Sequence, residues 1–327
     1  MLAHSLRKFY FEMAVKTEFS INEFTEILSN YHLGEFKDAE PFSTGAVQSN
    51  FLLQTTQGKF AFRYYENRSR GSVLFESNLI QYLKRKNYPC PAPYKNKQGK
   101  FVNSYNQKPY IIFEFVEGQH LEKPTENQKS QLIEKVAELQ NLTRNYKPLN
   151  KKYRWNYTVE LCRELARNQA KELKTPDSIE KLNWLELELA NLKLPKSLPK
   201  GICHCDFHFS NVLFKDNRFK ALLDFDDANY TFLMFDLVKL IESWAWRHDQ
   251  DKELDFQQAR KILAEYQKYR PLNDNEKRHL FDLYKLSILF DCVWYFGRGT
   301  ASDFYEKRKI EFLNAIGREE FYKKMFV

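Results

Sequence analysis

The hydrophobic pattern of this 327-residue chain turns from mostly strand-like to mostly helical near residues 116–118, and that change limits the available folds more than any other feature. Up to about residue 116 the apolar residues mostly alternate, as strands require; after Gly118 they recur at helical spacing. In the first part, Ser20-Ile-Asn-Glu23 reads as a capping box opening a short helix through Leu28. Residues 50–56 and 59–65 flank Gln57-Gly58, a hairpin signal in which glycine supplies a positive φ. In the second of these strands Phe60, Phe62 and Tyr64 share one face and Ala61, Arg63 and Tyr65 the other. A helix over 71–86, with Leu74, Phe75, Leu79 and Leu83 on its apolar face, is closed by Tyr88-Pro-Cys-Pro-Ala-Pro93. Strands over 100–104 and 110–116 follow.

Beyond Gly118, residues 126–142, 159–173 and 177–192 have helical periodicity, short strands interrupt near 212–223, and helices resume from about Phe232. The order predicts an α+β chain: a small antiparallel-sheet lobe with one main helix, residues 13–116, then a larger, mostly helical lobe, residues 117–327. With 10 glycines and neither G-x-x-x-x-G-K-[ST] nor G-x-G-x-x-G, the chain is unsuited to a Walker or Rossmann phosphate loop. The net charge of +8 is scattered in short runs such as 147–154 and 307–309, which read as solvated faces, so no nucleic-acid partner is expected. An odd count of five cysteines points to free thiols in a reducing compartment. No apolar run reaches the ~18 residues of a spanning helix, and the first residues lack a signal-peptide core. A cytoplasmic protein, without membrane partner, is the expectation; nothing indicates an oligomeric state.

The chemistry concentrates in His204-Cys-Asp-Phe-His-Phe-Ser-Asn211, two short apolar strands over 212–214 and 219–223, and Asp224-Phe225-Asp226. Phosphoryl transfer of the kinase type needs a carboxylate to accept the proton of an attacking hydroxyl, then an amide oxygen and a second carboxylate to hold Mg2+ on the phosphates. Asp206 takes the first role, Asn211 and Asp224 the second. A rival reading is a metal site, since His204, Asp206 and His208 alternate and Cys203 and Cys205 form a C-x-C, although no second Cys/His cluster completes it. A plainer alternative makes His204 a structural, buried histidine.

Phe60-Ala61-Phe62-Arg63 has the layout of a kinase lysine strand with arginine in the lysine place. Arg63 would grip phosphate oxygens, Ala61 would leave room for an adenine, and Glu76 in the next helix would pair with Arg63; an ordinary strand arginine is the competing account. Thr44, Gly45, Ser49 and Asn50 could fold over phosphates, or simply form a turn. Glu114 and Phe115 could offer backbone groups to a nucleotide base, or end a buried strand. Asp226, Asp227, His208 and Trp244 fall on the expected substrate side, where acids and aromatics suit an amine-bearing molecule; aromatics at helical spacing also suit a core.

The chain resembles the aminoglycoside phosphotransferase/choline kinase superfamily, and within it the type II homoserine kinases. The resemblance rests on Met13-Ala-Val-Lys-Thr17, residues 49–58, Tyr64-Tyr-Glu66, Cys90-Pro-Ala-Pro93, Phe115-Val-Glu-Gly118, His204-x-Asp206, Asn211-Val-Leu-Phe214, Asp224-Phe225 and residues 266–272. It implies a protein-kinase-like two-lobed fold and transfer of phosphate from ATP, with Mg2+, to a hydroxyl of a small-molecule substrate. It also implies that Asp236 braces the catalytic loop and that residues 1–12 are an extension. Gln140 stands where the superfamily often shows histidine, and Cys205 replaces a small residue. Homoserine, aminoglycoside and choline- or ethanolamine-type acceptors all fit the amine-bearing class. A catalytically weak nucleotide-binding module is the remaining alternative, suggested by Arg63.

Overall fold

The computed structural model describes residues 16–42, 47–246 and 253–327. The predicted extension over residues 1–12, and the predicted phosphate-loop residues Thr44 and Gly45, lie outside them. The chain forms two compact units. Of the described residues, the first holds 16–42, 47–123, 147–154 and 208–226; the second holds 124–146, 155–207, 227–246 and 253–327. The chain therefore passes from the second to the first between Phe207 and His208, and back after Asp226. A single change of periodicity near Gly118 does not convey that exchange.

In the first unit a five-stranded antiparallel sheet has the order β1-β2-β3-β5-β4. Its strands are β1 (Phe36–Pro41), β2 (Ser49–Thr55), β3 (Gly58–Tyr64), β4 (Asn103–Tyr105) and β5 (Lys108–Glu114). The β2–β3 register sets Asn50 opposite Arg63 and Phe51 opposite Phe62. Alternation sends Phe60, Phe62 and Tyr64 into one apolar cluster with Phe24, Ile27 and Leu28 of α1 (Ile21–Ser29). The reciprocal capping box of Ser20 and Glu23 starts that helix, as predicted. Burying Phe62 fully contributes on the order of 2 kcal/mol, so the alternation fixes which face Arg63 must use.

The predicted strand over 100–104 begins instead at Asn103. The reason is a two-residue turn at Asn106 and Gln107, both at positive φ (44° and 67°), which sets the β4–β5 register. Helix α2 (Arg70–Arg85) is capped by Ser69 and buries Val73, Phe75, Glu76, Leu79 and Leu83. A second hairpin, β7 (Val212–Lys215) with β8 (Arg218–Leu222), also belongs to this unit. Its turn is Asp216-Asn217, at φ 51° and 59°. A bridge between Gln119 and Phe214 holds it.

The second unit is mostly helical: α3 (Glu126–Thr143), α4 (Val159–Leu173), α5 (Pro176–Ala190), α6 (Phe235–Ala245), α7 (Phe256–Tyr269), α8 (Asp274–Trp294) and α9 (Lys307–Phe326). Between them β6 (Lys200–Cys203) pairs with β9 (Asn229–Phe232). This corrects the expectation that helix resumes at Phe232. Residues 229–232 are claimed by the β6 edge, with Thr231 and Phe232 buried, and α6 starts only at Phe235. Helix α8 is buried along most of its length yet carries charged residues throughout, and no helix among the described residues is long and apolar enough to cross a membrane. All five cysteines are free.

Candidate active site

In the first unit the β7–β8 hairpin does the positioning. Asn211 ends a single 3-10 turn (Phe209–Asn211) just before β7, and Asp224 follows β8 by two residues. Antiparallel pairing of Val212 with Leu222 brings those ends together, and Leu223 N–H donates to the Asn211 carbonyl at 2.8 Å. Asp224 itself sits at φ 57°, a strained conformation for a non-glycine residue. Its Oδ1 accepts from Arg63 Nη2 at 2.7 Å and from Asp226 N–H at 3.3 Å.

Arg63 reaches this hairpin from the middle of β3. Its second ion pair is with Asp226 Oδ2 at 3.7 Å. Glu76 lies near enough for its charge to favour the guanidinium, yet the hydrogen bond of Arg63 goes to Asp224. Glu76 thus faces Arg63 as a charge, while the guanidinium's hydrogen bond goes to Asp224. Burial pushes the Glu76 carboxyl up to about 7, against the pull of Arg63, and its Oε2 has no hydrogen-bond partner.

The expected substrate role of Asp226 is corrected. Its carboxylate accepts from Arg68 Nε at 2.7 Å and Gln48 Nε2 at 2.9 Å, in addition to facing Arg63. Burial alone would raise it, but the guanidiniums of Arg68 and Arg63 outweigh that and hold it well below the usual carboxylate range. Arg154 donates to the backbone carbonyls of Phe225 and Asp226 and to Ser72 Oγ. With its side chain 8% exposed and two arginines on it, Asp226 organises the first unit rather than facing a substrate. Sequence reading missed Arg68, Gln48 and Arg154, because their partners lie 70 or more positions away and no local pattern marks them.

Ser49 is also turned away from a nucleotide role. Its hydroxyl donates to Glu66 Oε1 at 2.6 Å and accepts from Thr17 N–H at 2.9 Å. Asn50 is a β2 residue whose side chain donates to the Gln48 carbonyl at 3.2 Å. Ala61 is half-buried in β3, between Leu52 and Phe113 in register. Glu114 N–H is already given to the Ala92 carbonyl at 2.8 Å, so that donor is closed to a base. Phe115 is half-buried, with Lys59 Nζ 6.0 Å from its ring centre, and His208 is exposed.

In the second unit, β6 runs into His204, Cys205 and Asp206. Cys205 takes φ 65°, and the fully buried Asp236 of α6 holds this turn. Asp236 Oδ2 accepts from His204 N–H at 3.0 Å, and Oδ1 from Cys205 N–H at 2.8 Å. Burial pushes the Asp236 carboxyl up to about 6, against those two donors. His204 is fully buried, its ring 4.9 Å from that of Phe207, as a structural histidine would be. Asp206, Asp227 and Trp244 are half-buried. Among the described residues no group of three or more His, Cys, Asp or Glu side chains is placed to hold a metal ion, which removes the geometric basis of the His204/Asp206/His208 metal reading.

A five-stranded sheet carries Arg63, a hairpin carries Asn211 and Asp224, and a helix-braced turn carries Asp206, the set expected from the sequence for a protein-kinase-like small-molecule phosphotransferase. The comparisons agree with that class. The model of the phosphotransferase enzyme family (APH) matches residues 38–272, and the chain belongs to this family. It is 30% identical over 308 residues to the homoserine kinase of Rhodospirillum rubrum, covering 92% of this chain and 89% of that one. With the homoserine kinase of Bartonella henselae it shares 29% over 269 residues, covering 80% and 81%. Among solved structures it is similar to an amicoumacin kinase bound to AMP-PNP and Ca2+, with TM-score 0.65, 18% identity and 92% of each chain covered. A spectinomycin phosphotransferase bound to ADP and spectinomycin gives TM-score 0.62 at 13% identity, covering 95% and 96%.

Proposed function

We propose that this protein transfers the γ-phosphoryl group of ATP to the hydroxyl of a small amine-bearing metabolite, with homoserine as the first candidate acceptor. The observation that carries this reading is the hairpin that brings Asn211 beside Asp224, with Arg63 hydrogen-bonded to Asp224 at 2.7 Å. It is supported by the homoserine kinase relatives, at 30% and 29% identity over most of their length.

Asp206 accepts the hydroxyl proton as the acceptor oxygen bonds to the γ-phosphorus and the bond to the β–γ bridging oxygen breaks, leaving ADP. Such a base contributes typically ~10²–10⁴-fold. Arg63 steadies phosphate oxygens when released from Asp224, a task its forked donors suit. The donor set fits Mg2+: a carboxylate and an amide oxygen are hard ligands, and Asp224 already faces a cation. Asn211 and Asp224 would hold the ion, which supplies neutralisation of phosphate charge. Asp236 keeps the turn before Asp206 in place. The free thiols accord with a reducing, cytoplasmic setting.

The test is ADP formation with Mg2+ and ATP over a panel of homoserine, choline, ethanolamine and aminoglycosides. Homoserine-dependent turnover is the expected result. Turnover with another acceptor alone would move the substrate assignment, and tight ATP binding without turnover on any acceptor would leave a nucleotide-binding module.

A further inference from the structure

Five buried polar side chains of the second unit form one hydrogen-bonded line ending on the catalytic turn. Arg270 Nη2 donates to Glu276 Oε1, and Arg270 Nη1 donates to Tyr266 Oη at 2.9 Å. Tyr266 Oη donates to Gln140 Oε1, and Gln140 Nε2 donates to Asp236 Oδ2 at 3.5 Å. Asp236 then receives the backbone N–H groups of His204 and Cys205. Gln140, Tyr266 and Asp236 are each 0% exposed, so bulk solvent does not reach these groups.

The direction of every donor in this line is forced. A guanidinium has donors only, so Tyr266 Oη must accept from Arg270 and its one proton is left for Gln140. That proton selects the amide oxygen of Gln140, which turns the amide NH2 toward Asp236. A flipped amide would set an oxygen against the carboxylate. Glu276 fixes the origin of the polarity by holding Arg270 in place. The held segment is itself strained, since Cys205 is left-handed at φ 65° and directly precedes Asp206.

We propose that Tyr266 is a positioning residue for phosphoryl transfer: with Arg270 it sets the polarity of Gln140, and through Asp236 it fixes the backbone turn that carries Asp206. The inference rests on Asp206 being the reacting base, and it adds an element, α7, that contributes no group to the chemistry. Besides Asp236, the groups facing Gln140 are Tyr266 and the thiol of Cys203, at 4.0 Å from Nε2. Asp236 also meets the Cys203 thiol and the His204 and Cys205 backbone.

Tyr266→Phe keeps the ring and removes the proton that orients Gln140. Its kcat falls about tenfold or more while KM for ATP stays within about twofold. Deuterium uptake at the N–H groups of His204 and Cys205 rises in parallel, read on a peptide spanning 203–207. Gln140→Glu gives a second readout: two facing carboxyls must share a proton, so its kcat declines from about pH 6 to about pH 8, where the parent does not. The proposal is overturned if Tyr266→Phe keeps both parent kcat and parent deuterium uptake. It is equally overturned if its loss only follows the folded fraction, or if Gln140→Glu has the parent pH profile. A parent enzyme with no acceptor-dependent turnover defeats the functional reading instead, and the deuterium readout still decides the role of Tyr266 in holding the turn.

Discussion

Asp224, Asp226 and Asp236 are three aspartates of one short stretch with three different tasks, and their surroundings explain the division. Asp224 keeps a side chain 37% exposed and an arginine partner, which suits the proposed exchange of that arginine for a metal ion. Asp226 is buried under Arg63 and Arg68, so its loss takes away the carboxylate on which Arg68 Nε rests and one of the acids facing Arg63. Asp226→Ala is expected to destabilise the protein by about 3 kcal/mol or more, measured by urea denaturation, where a purely substrate-binding role would raise acceptor KM and leave stability alone. Asp236 must be ionised for both oxygens to accept backbone protons. Its carboxyl is pushed up to about 6, so protonation below that pH removes acceptor capacity. An acid limb in the kcat profile near pH 6 is expected, shifted or abolished in Asp236→Asn.

The β7–β8 hairpin shows how much of the site a local pattern can specify. Its two strands, and the candidate ligands at its ends, were legible from spacing alone. So were the β2–β3 hairpin around Gln57-Gly58 and the capping box of α1. The β6–β9 pair was not, because four-residue strands separated by a whole motif carry no periodicity of their own. The partners of Asp226 were hidden for the same physical reason: Gln48 and Arg68 meet it across 178 and 158 positions. Turn chemistry gives the element its own test. Asn217, at φ 59°, tolerates glycine, whereas Asn217→Val forces a branched side chain into the left-handed region at a cost of about 1–2 kcal/mol. Spread through the hairpin, that cost should lower kcat by loosening Asn211 against Asp224. An Asn217→Val enzyme with parent kcat and parent melting temperature would show that the hairpin does not position the pair.

Across the whole molecule, buried carboxyls set the pH dependence of stability. Glu76, Asp236 and Asp291 are pushed up to about 7, 6 and 7, burial being the first cause in each. Unfolded carboxyls titrate near ~4, so between that value and neutrality the native chain holds protons that the unfolded chain has lost. Stability from these groups is full below about pH 4 and declines as pH rises through 6 and 7. Asp226 has the opposite sign: its contribution is present above about pH 4 and is lost in more acidic solution. Thermal melts should therefore be highest near pH 4–5 and fall toward pH 8; a melting temperature that rises over that range would contradict the burial of these carboxyls. The two-lobed class was readable from the change of period at Gly118, while the exchange of residues 208–226 into the first unit was not, since it depends on contacts rather than pattern.

Phosphoryl transfer to a small hydroxyl acceptor, with Asp206 as the base, leaves a product that can be seen directly. The direct measurement is ³¹P NMR of ATP, Mg2+ and homoserine incubated with the parent protein and with Asp206→Asn. A new phosphate monoester resonance is expected to grow with ADP in the parent, slowed at least ~100-fold in Asp206→Asn. No monoester on any hydroxyl acceptor, or an equal rate in Asp206→Asn, would contradict it.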